Sequence, residues 1–336
     1  MNKKQNTIYH KGKYEVWDFI RSNSHIVTLF SLVFFVTVFT KGIFIRPSNL
    51  SSVITRAAAL GMISIGQTLV ILTSGIDLSV SANVGLSVSM MALLQGYNIG
   101  PLYMIIVGCV VPALVWTISG LLCAFTMIPP FIVTLGMSMI VWTTTLCTLS
   151  GETIFRDVRQ FIDSNIMAFI PLPDYAFPAI IWILSTILLS LILKYSRFGH
   201  NIFALGGKEK AAYYSGVNVK KVKIFVYTLS GLTSGIGGLL YTYKLVGINP
   251  LAGKGFLLES IAATIIGGTL LSGGEGSIFS AVVGTLVITI FVNFMNIIGM
   301  NPFIQKIIMG VIIITFVYVL NKIRIFAIKK QYMRVK

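Results

Sequence analysis

Apolar and polar residues fall in long blocks along this chain rather than alternating from one residue to the next. Ten apolar runs stand out: Ile26 to Phe44, a second that begins after Pro47-Ser48-Asn49 and continues to Thr73, Leu78 to Leu94, Leu102 to Phe125, Phe131 to Leu149, Ala176 to Leu193, Ile224 to Tyr243, Phe256 to Leu271, Ile278 to Ile298 and Phe303 to Leu320. Most are close to the ~20 residues that carry a helix across ~30 Å of hydrocarbon. A membrane β-barrel alternates apolar and polar residues over segments of only ~10. The pattern predicts an all-α, polytopic helical membrane protein with about ten transmembrane helices.

Composition narrows this further. Hydrophobic residues make up 55% of the 336 and charged residues only 11%, with a mean hydropathy of +0.87. Soluble domains carry about 25% charged residues, so this chain cannot cover a water-facing surface, and it is too apolar to be disordered. The formal net charge is +16. The basic residues gather beside apolar runs, as the positive-inside rule expects, and do not form a nucleic-acid surface. Lys3, Lys4, Lys11, Lys13 and Arg21 precede the first run. Lys194, Arg197, Lys208, Lys210, Lys220, Lys221 and Lys223 follow the sixth. Lys322, Arg324, Lys329, Lys330, Arg334 and Lys336 follow the last. Ten crossings put all three blocks on one side, read as the cytoplasm, and the stretch from Glu152 to Asp174 outside. Lys41 and Arg46 are the discord.

The organisation expected is a cytoplasmic segment over 1–25, a membrane domain over 26–322 with a cytoplasmic loop at 195–222, and a basic tail over 323–336. The first run has no small-residue cleavage site after it and reads as a retained anchor. Phe256 to Leu271 is the weakest crossing, being short and holding Glu259, Gly267 and Gly268. It is kept as a crossing because a re-entrant segment would move the tail to the other side.

Gly61, Gly66, Gly231, Gly235, Gly237, Gly238 and Gly284 lie within apolar runs and predict close helix packing. Cys109, Cys123 and Cys147 also lie in such runs and read as small buried hydrophobes. Asp77, in Gly75-Ile76-Asp77-Leu78-Ser79, has no cation nearby in sequence. An acid at membrane depth costs roughly 2.5–3.5 kcal/mol, so it must face protein or water, or it or Ser79 caps the next helix. Glu259 poses the same question. Gln67, Asn83, Asn293 and Asn296 either line a polar path or cross-link helices. Ile65-Gly66-Gln67-Thr68-Leu69 echoes Ile266-Gly267-Gly268-Thr269-Leu270, and Ser81 to Gly85 echoes Ser280 to Gly284, with duplication and chance both open. Gly207 to Gly216 reads as a short helix with glycine at each end. It is marginal alone and needs a partner, unless the segment is a plain basic loop. A phosphate loop is lacking, because Gly206-Gly207-Lys208 has no upstream glycine at the required spacing. His10, His25 and His200 are scattered, and no catalytic set can be assembled. The sequence predicts neither an enzyme nor a metal protein.

Four stretches together resemble the ribose-type permeases of ABC importers, from about Leu60 to Leu320. They are Gly66 to Val80, Ile128 to Met137, Arg197-Phe198-Gly199 with Gly206 to Asn218, and Ile266 to Thr269 with Leu271 to Ser277. The resemblance implies a bacterial cell-membrane permease of about ten spans that works as a pair, the second subunit being a copy or a homologue. It implies two cytoplasmic ATPase subunits, which would hold the ATP and Mg, and an extracytoplasmic solute-binding protein. The chain itself would hold no cofactor. The family's coupling segment falls on Gly206, Gly207, Ala211, Ala212, Ser215 and Gly216. Tyr213-Tyr214 is bulkier than usual and Ser81 stands where glycine is usual. A path of Gln, Asn, Thr and Ser suits a neutral, sugar-like solute, and the expected mechanism is alternating access without a tight site in the permease. The rival is an ion-coupled secondary transporter using Asp77 and Glu259.

Overall fold

The computed structural model describes residues 24–126, 128–155, 158–163, 173–245 and 247–335. The expected 1–25 segment with its basic residues lies almost wholly outside them, as do Arg156 and Asp157. Thirteen helices are present among the described residues: α1 (Ser24–Phe39), α2 (Pro47–Leu72), α3 (Val80–Gly96), α4 (Pro101–Phe125), α5 (Pro130–Thr148), α6 (Val158–Ile162), α7 (Ala176–Tyr195), α8 (Arg197–Gly207), α9 (Glu209–Tyr214), α10 (Val219–Thr242), α11 (Phe256–Ile266), α12 (Ile278–Ile297) and α13 (Pro302–Val335). Proline opens α2, α4 and α5, where its missing N–H costs nothing. Side-chain caps open others: Ser196, Asn218 and Ser277 accept backbone N–H groups at the starts of α8, α10 and α12. Seven helices are long and apolar enough to cross a bilayer, and Ile26–Phe39, Val80–Gly96 and Phe256–Ile266 are shorter apolar helices. These ten match the ten apolar runs.

Helix α2 is the axis of the bundle. It is buried along most of its length and packs on α10, α11, α12 and α7. Small residues set the spacing. A Cβ on Gly284 of α12 would lie 1.9 Å from the Ala263 carbonyl oxygen of α11, and one on Gly61 of α2 would lie 2.1 Å from Trp182 of α7. Such backbone approach takes the place of a hydrophobic drive between membrane helices. Cys109 and Cys123 are buried as expected, whereas Cys147 is exposed. It sits in the last turn of α5 on the outward face, between the inward-facing, buried Thr145 and Leu149.

Two helices are broken in a way the apolar runs did not reveal. The chain leaves α2 at Thr73, turns back as non-helical backbone, and begins α3 only at Val80. The Asp77 carboxylate there touches Trp116 and Ser230. These lie nine residues from the end of α4 and eleven from the start of α10, about 14 and 16 Å deep. Helix α3 therefore starts well inside the bundle and runs alongside α10, with Asn83 on Gly231 and Ser87 on Gly235. Helix α11 has only 11 residues, about 16 Å. It runs alongside α2, with Glu259 beside Arg56 and Thr264 beside Thr68, and is preceded by non-helical backbone. Gly267 and Gly268 end it ahead of the residue-271 limit of its apolar run. Irregular backbone at this depth survives only where protein shields it or it faces water. The sequence echo does not fall on equivalent places: Gly66 lies mid-helix against α10, whereas Gly267 caps α11.

Candidate functional site

At one end of the bundle α8 and α9 form a bracket. Helix α8 was not apparent as a helix from the sequence, though Ser196 followed by Phe198, Ile202 and Leu205 carries a cap and an apolar face; Ile202 and Leu205 are buried. A Cβ on Gly206 would lie 1.8 Å from the Leu72 carbonyl oxygen, at the last turn of α2, so only glycine lets α8 dock there. Ser74 locks the contact, its hydroxyl donating to the Gly206 carbonyl (2.9 Å) and the Ser272 carbonyl (2.7 Å). Gly274 N–H donates to Leu72 O at 3.0 Å. Ser74 adopts φ 62°, a left-handed conformation uncommon outside glycine.

Helix α9 spans six residues, too few to stand alone. The expected glycines bound it differently from the forecast. Gly207 ends α8, while Gly216 (φ 84°) caps α9, with Gly216 N–H on Tyr213 O and Val217 N–H on Ala212 O, a Schellman closure. Ala212 is buried beneath the helix, and Lys223 of α10 pairs with Glu209 at 2.7 Å. Gly207, Ala211, Ser215 and Gly216 are exposed. Tyr213 and Tyr214 stand out from the surface at 67% and 85% exposure, their rings edge to face. A groove of about 960 Å³ beside them is floored by Ala124 and Val217 and edged by Lys210 and Lys220. Of the residues expected in the coupling segment, Gly206 and Ala212 thus face the bundle and the others face outward.

The expected path residues fall in three places. Asp77 and Asn83 lie in a buried knot. Asp77 Oδ1 accepts the Ser79 N–H at 2.9 Å and its hydroxyl, and Oδ2 accepts Trp116 Nε1–H (2.8 Å) and the Ser230 hydroxyl (3.0 Å). The acid braces the segment before α3, and Ser79 makes no side-chain cap of its own. Asn83 donates to Gly231 O and to the Ser234 hydroxyl. Thr134 of α5 closes the knot by accepting Leu78 N–H and donating to Ile76 O. Gln67 is fully buried nearby in α2, with neither end of its amide paired. Asn293 is elsewhere, exchanging hydrogen bonds with Asn49 and tying α12 to the start of α2.

Glu259 and Asn296 line a cavity of about 460 Å³ near the end opposite α8, between α2, α11, α12 and α13. The sequence had left Glu259 without a cation. Arg56, 203 residues earlier, supplies it, one guanidinium nitrogen reaching both carboxylate oxygens at 2.7 and 2.8 Å. Arg56 also lies over the Phe256 ring, and Gln305 donates to Asn296 at 2.9 Å. At the same end Asp163 accepts the Tyr243 hydroxyl and pairs with Arg159. Burial, and then Asp163, push the Tyr243 hydroxyl above its usual range. Sequence reasoning missed Arg56, Trp116, Ser230 and Gln305. No local signal could pair them, because each meets its partner through the fold, except that an arginine inside an apolar run was itself a pointer to a buried acid.

Residues 49–317 match the family model described as "Branched-chain amino acid transport system / permease component". A ribose import permease protein of Bacillus subtilis is 35% identical over 290 residues, covering 85% of this chain and 88% of that protein. A D-allose transport system permease protein of Escherichia coli is 34% identical, covering 86% and 89%. A fructose import permease protein of Rhizobium meliloti is 34% identical, covering 89% and 84%. No solved structure matches. With the family match spanning most of its length and a bundle of apolar helices around it, the chain belongs to the branched-chain amino acid transport system permease-component family, alongside the sugar import permeases.

Proposed function

We propose that this chain is the membrane-spanning subunit of an ATP-driven importer for a monosaccharide or similar neutral polar solute. It is a transport subunit without catalytic chemistry of its own. ATP and Mg belong to a pair of partner ATPase subunits, and an extracytoplasmic binding protein delivers the solute. A second permease subunit completes the path. The α8–α9 end faces the cytoplasm together with both termini, in keeping with the basic residues gathered there.

One observation carries the coupling half of this reading. Helix α9 is anchored from beneath by Ala212 and the Glu209–Lys223 pair, yet presents two bare tyrosines beside a groove. A six-residue helix anchored on one side with large aromatics exposed on the other suits a partner that covers it. The bracket also touches the machinery within. Gly206 meets Ser74; six residues span Ser74 to Ser79; and these lead through Thr134 and Asp77 into α3. A push on α9 would pass along this short, hydrogen-bonded segment to a helix that begins at mid-depth. Gly274, bonded to Leu72, would carry the same displacement toward α12.

The experiment is co-purification of the chain with its ATPase. Tyr214→Glu should leave the chain inserted and folded and abolish both ATPase retention and uptake. Retention of the ATPase by that variant at the wild-type level would remove α9 from the coupling surface.

A further inference from the structure

A permease fed by a binding protein needs no solute site of its own, but the cavity at the end opposite α8 has the makings of one. Its volume, about 460 Å³, lies within the ~300–1,000 Å³ of small-molecule sites. Its floor is apolar, with Val292, Met295 and Met309, and its polar groups converge: Arg56, Lys254, Glu259, Asn296, Gln305 and Lys306. An arginine and a glutamate nine residues into α2 and in the first turn of α11 are costly at that depth. A purely structural link between these helices already exists in the Thr68–Thr264 contact.

The pair is also left incompletely satisfied. Arg56 reaches Glu259 through one terminal nitrogen only, and its buried Nε–H has no partner. Helix α11 opens beside the cavity at Gly255, the N–H of Phe256 in its first turn being bonded to the Gly253 carbonyl. The Arg56 guanidinium, the Glu259 carboxylate and two side-chain amides converge on one space.

We propose that this cavity is a hydroxyl-reading solute site within the permease, with a neutral polyhydroxylated ring as its ligand and Arg56 and Glu259 as its specificity-determining pair. The inference rests on the reading of the chain as a solute permease. Hydroxyls both donate and accept, so one ring can bond the Glu259 oxygens and the Asn296–Gln305 amides together, beside the Arg56 guanidinium. The charge of Arg56 is already matched by Glu259. Lys254 and Lys306 are exposed at the rim and remain solvated. A site this open, with few contacts, binds at about millimolar strength, which lets the solute leave again.

The test uses the full chain alone in lipid nanodiscs, with saturation-transfer NMR of D-ribose, D-allose, D-fructose and D-galactose at millimolar concentration and D-gluconate as the acidic control. At least one neutral sugar should receive saturation. Asn296→Ala, which leaves the ion pair intact, should weaken binding about tenfold. The charge-swapped double variant Arg56→Glu, Glu259→Arg keeps the helix link, so it should melt as the wild type does and lose the sugar signal. The proposal is overturned if no neutral sugar is saturated, if D-gluconate alone is, or if the swapped variant binds normally. No ATPase is present, so this result stands or falls apart from the coupling surface.

Discussion

Asp77 and Glu259 are both acids placed inside an apolar bundle beside a helix that starts at mid-depth, and the fold answers them in opposite ways. Asp77 is fully buried and ringed by neutral donors from its own turn, α4 and α10, with no cation on it among the described residues. Glu259 is partly exposed, faces a cavity and is held by a single arginine. A closed ring of neutral donors leaves nothing over for a ligand and fixes a backbone that would otherwise be unsupported. A half-satisfied ion pair on a cavity wall keeps bonding capacity in reserve. On the proposed reading, the first arrangement serves scaffold and transmission and the second serves the path.

The largest effect that could break this contrast is at Asp77. Asp77→Ala leaves the Trp116 and Ser230 donors and the Ser79 turn unpaired, and should cost roughly 3–5 kcal/mol, read as a lowered unfolding temperature in detergent. Asp77→Asn should fall between. A variant at Asp77 that melts normally while uptake disappears would place this acid in the path instead. Next comes Gly206→Ala. Its Cβ has no space against Leu72 O, so α8 must shift, at a cost of about 1–3 kcal/mol. ATP hydrolysis in the assembled transporter should then run without matching uptake. Equal loss of both activities would mean that the bracket holds shape and transmits nothing. Glu259→Gln should cost less, about 1–2 kcal/mol, since its pair is partly solvated. Uptake should fall much further than stability, and parallel losses would make Glu259 a second scaffold acid. Tyr214→Ala should change stability least, within about 0.5 kcal/mol, while weakening ATPase retention.

The chain announced most of this architecture. Block-wise apolar runs over ~20 residues can be read because the bilayer imposes length, and all ten appear as helices. The depth at which α3 and α11 begin could not be read, because an apolar run has the same composition whether its backbone is helical or extended. Helix α8 was hidden for a different reason: eleven residues of mixed polarity carry no length signal. Among site residues, the Gly206–Gly216 segment was legible as a unit, but not that Gly206 and Ala212 point inward. That follows from Leu72 and α10, distant in sequence. Asp77 and Glu259 were visible as costly acids. Their different fates depend on Trp116, Ser230 and Arg56, which only the packed bundle brings to them.

The most direct measurement concerns the exposed side of α9. Ala211→Glu puts a charge where the surface is open and the bundle is untouched. In vesicles carrying the transporter with its ATPase and binding protein, the account expects a variant that inserts and melts as the wild type does but neither retains the ATPase nor takes up solute. Wild-type ATPase retention with wild-type uptake would contradict it.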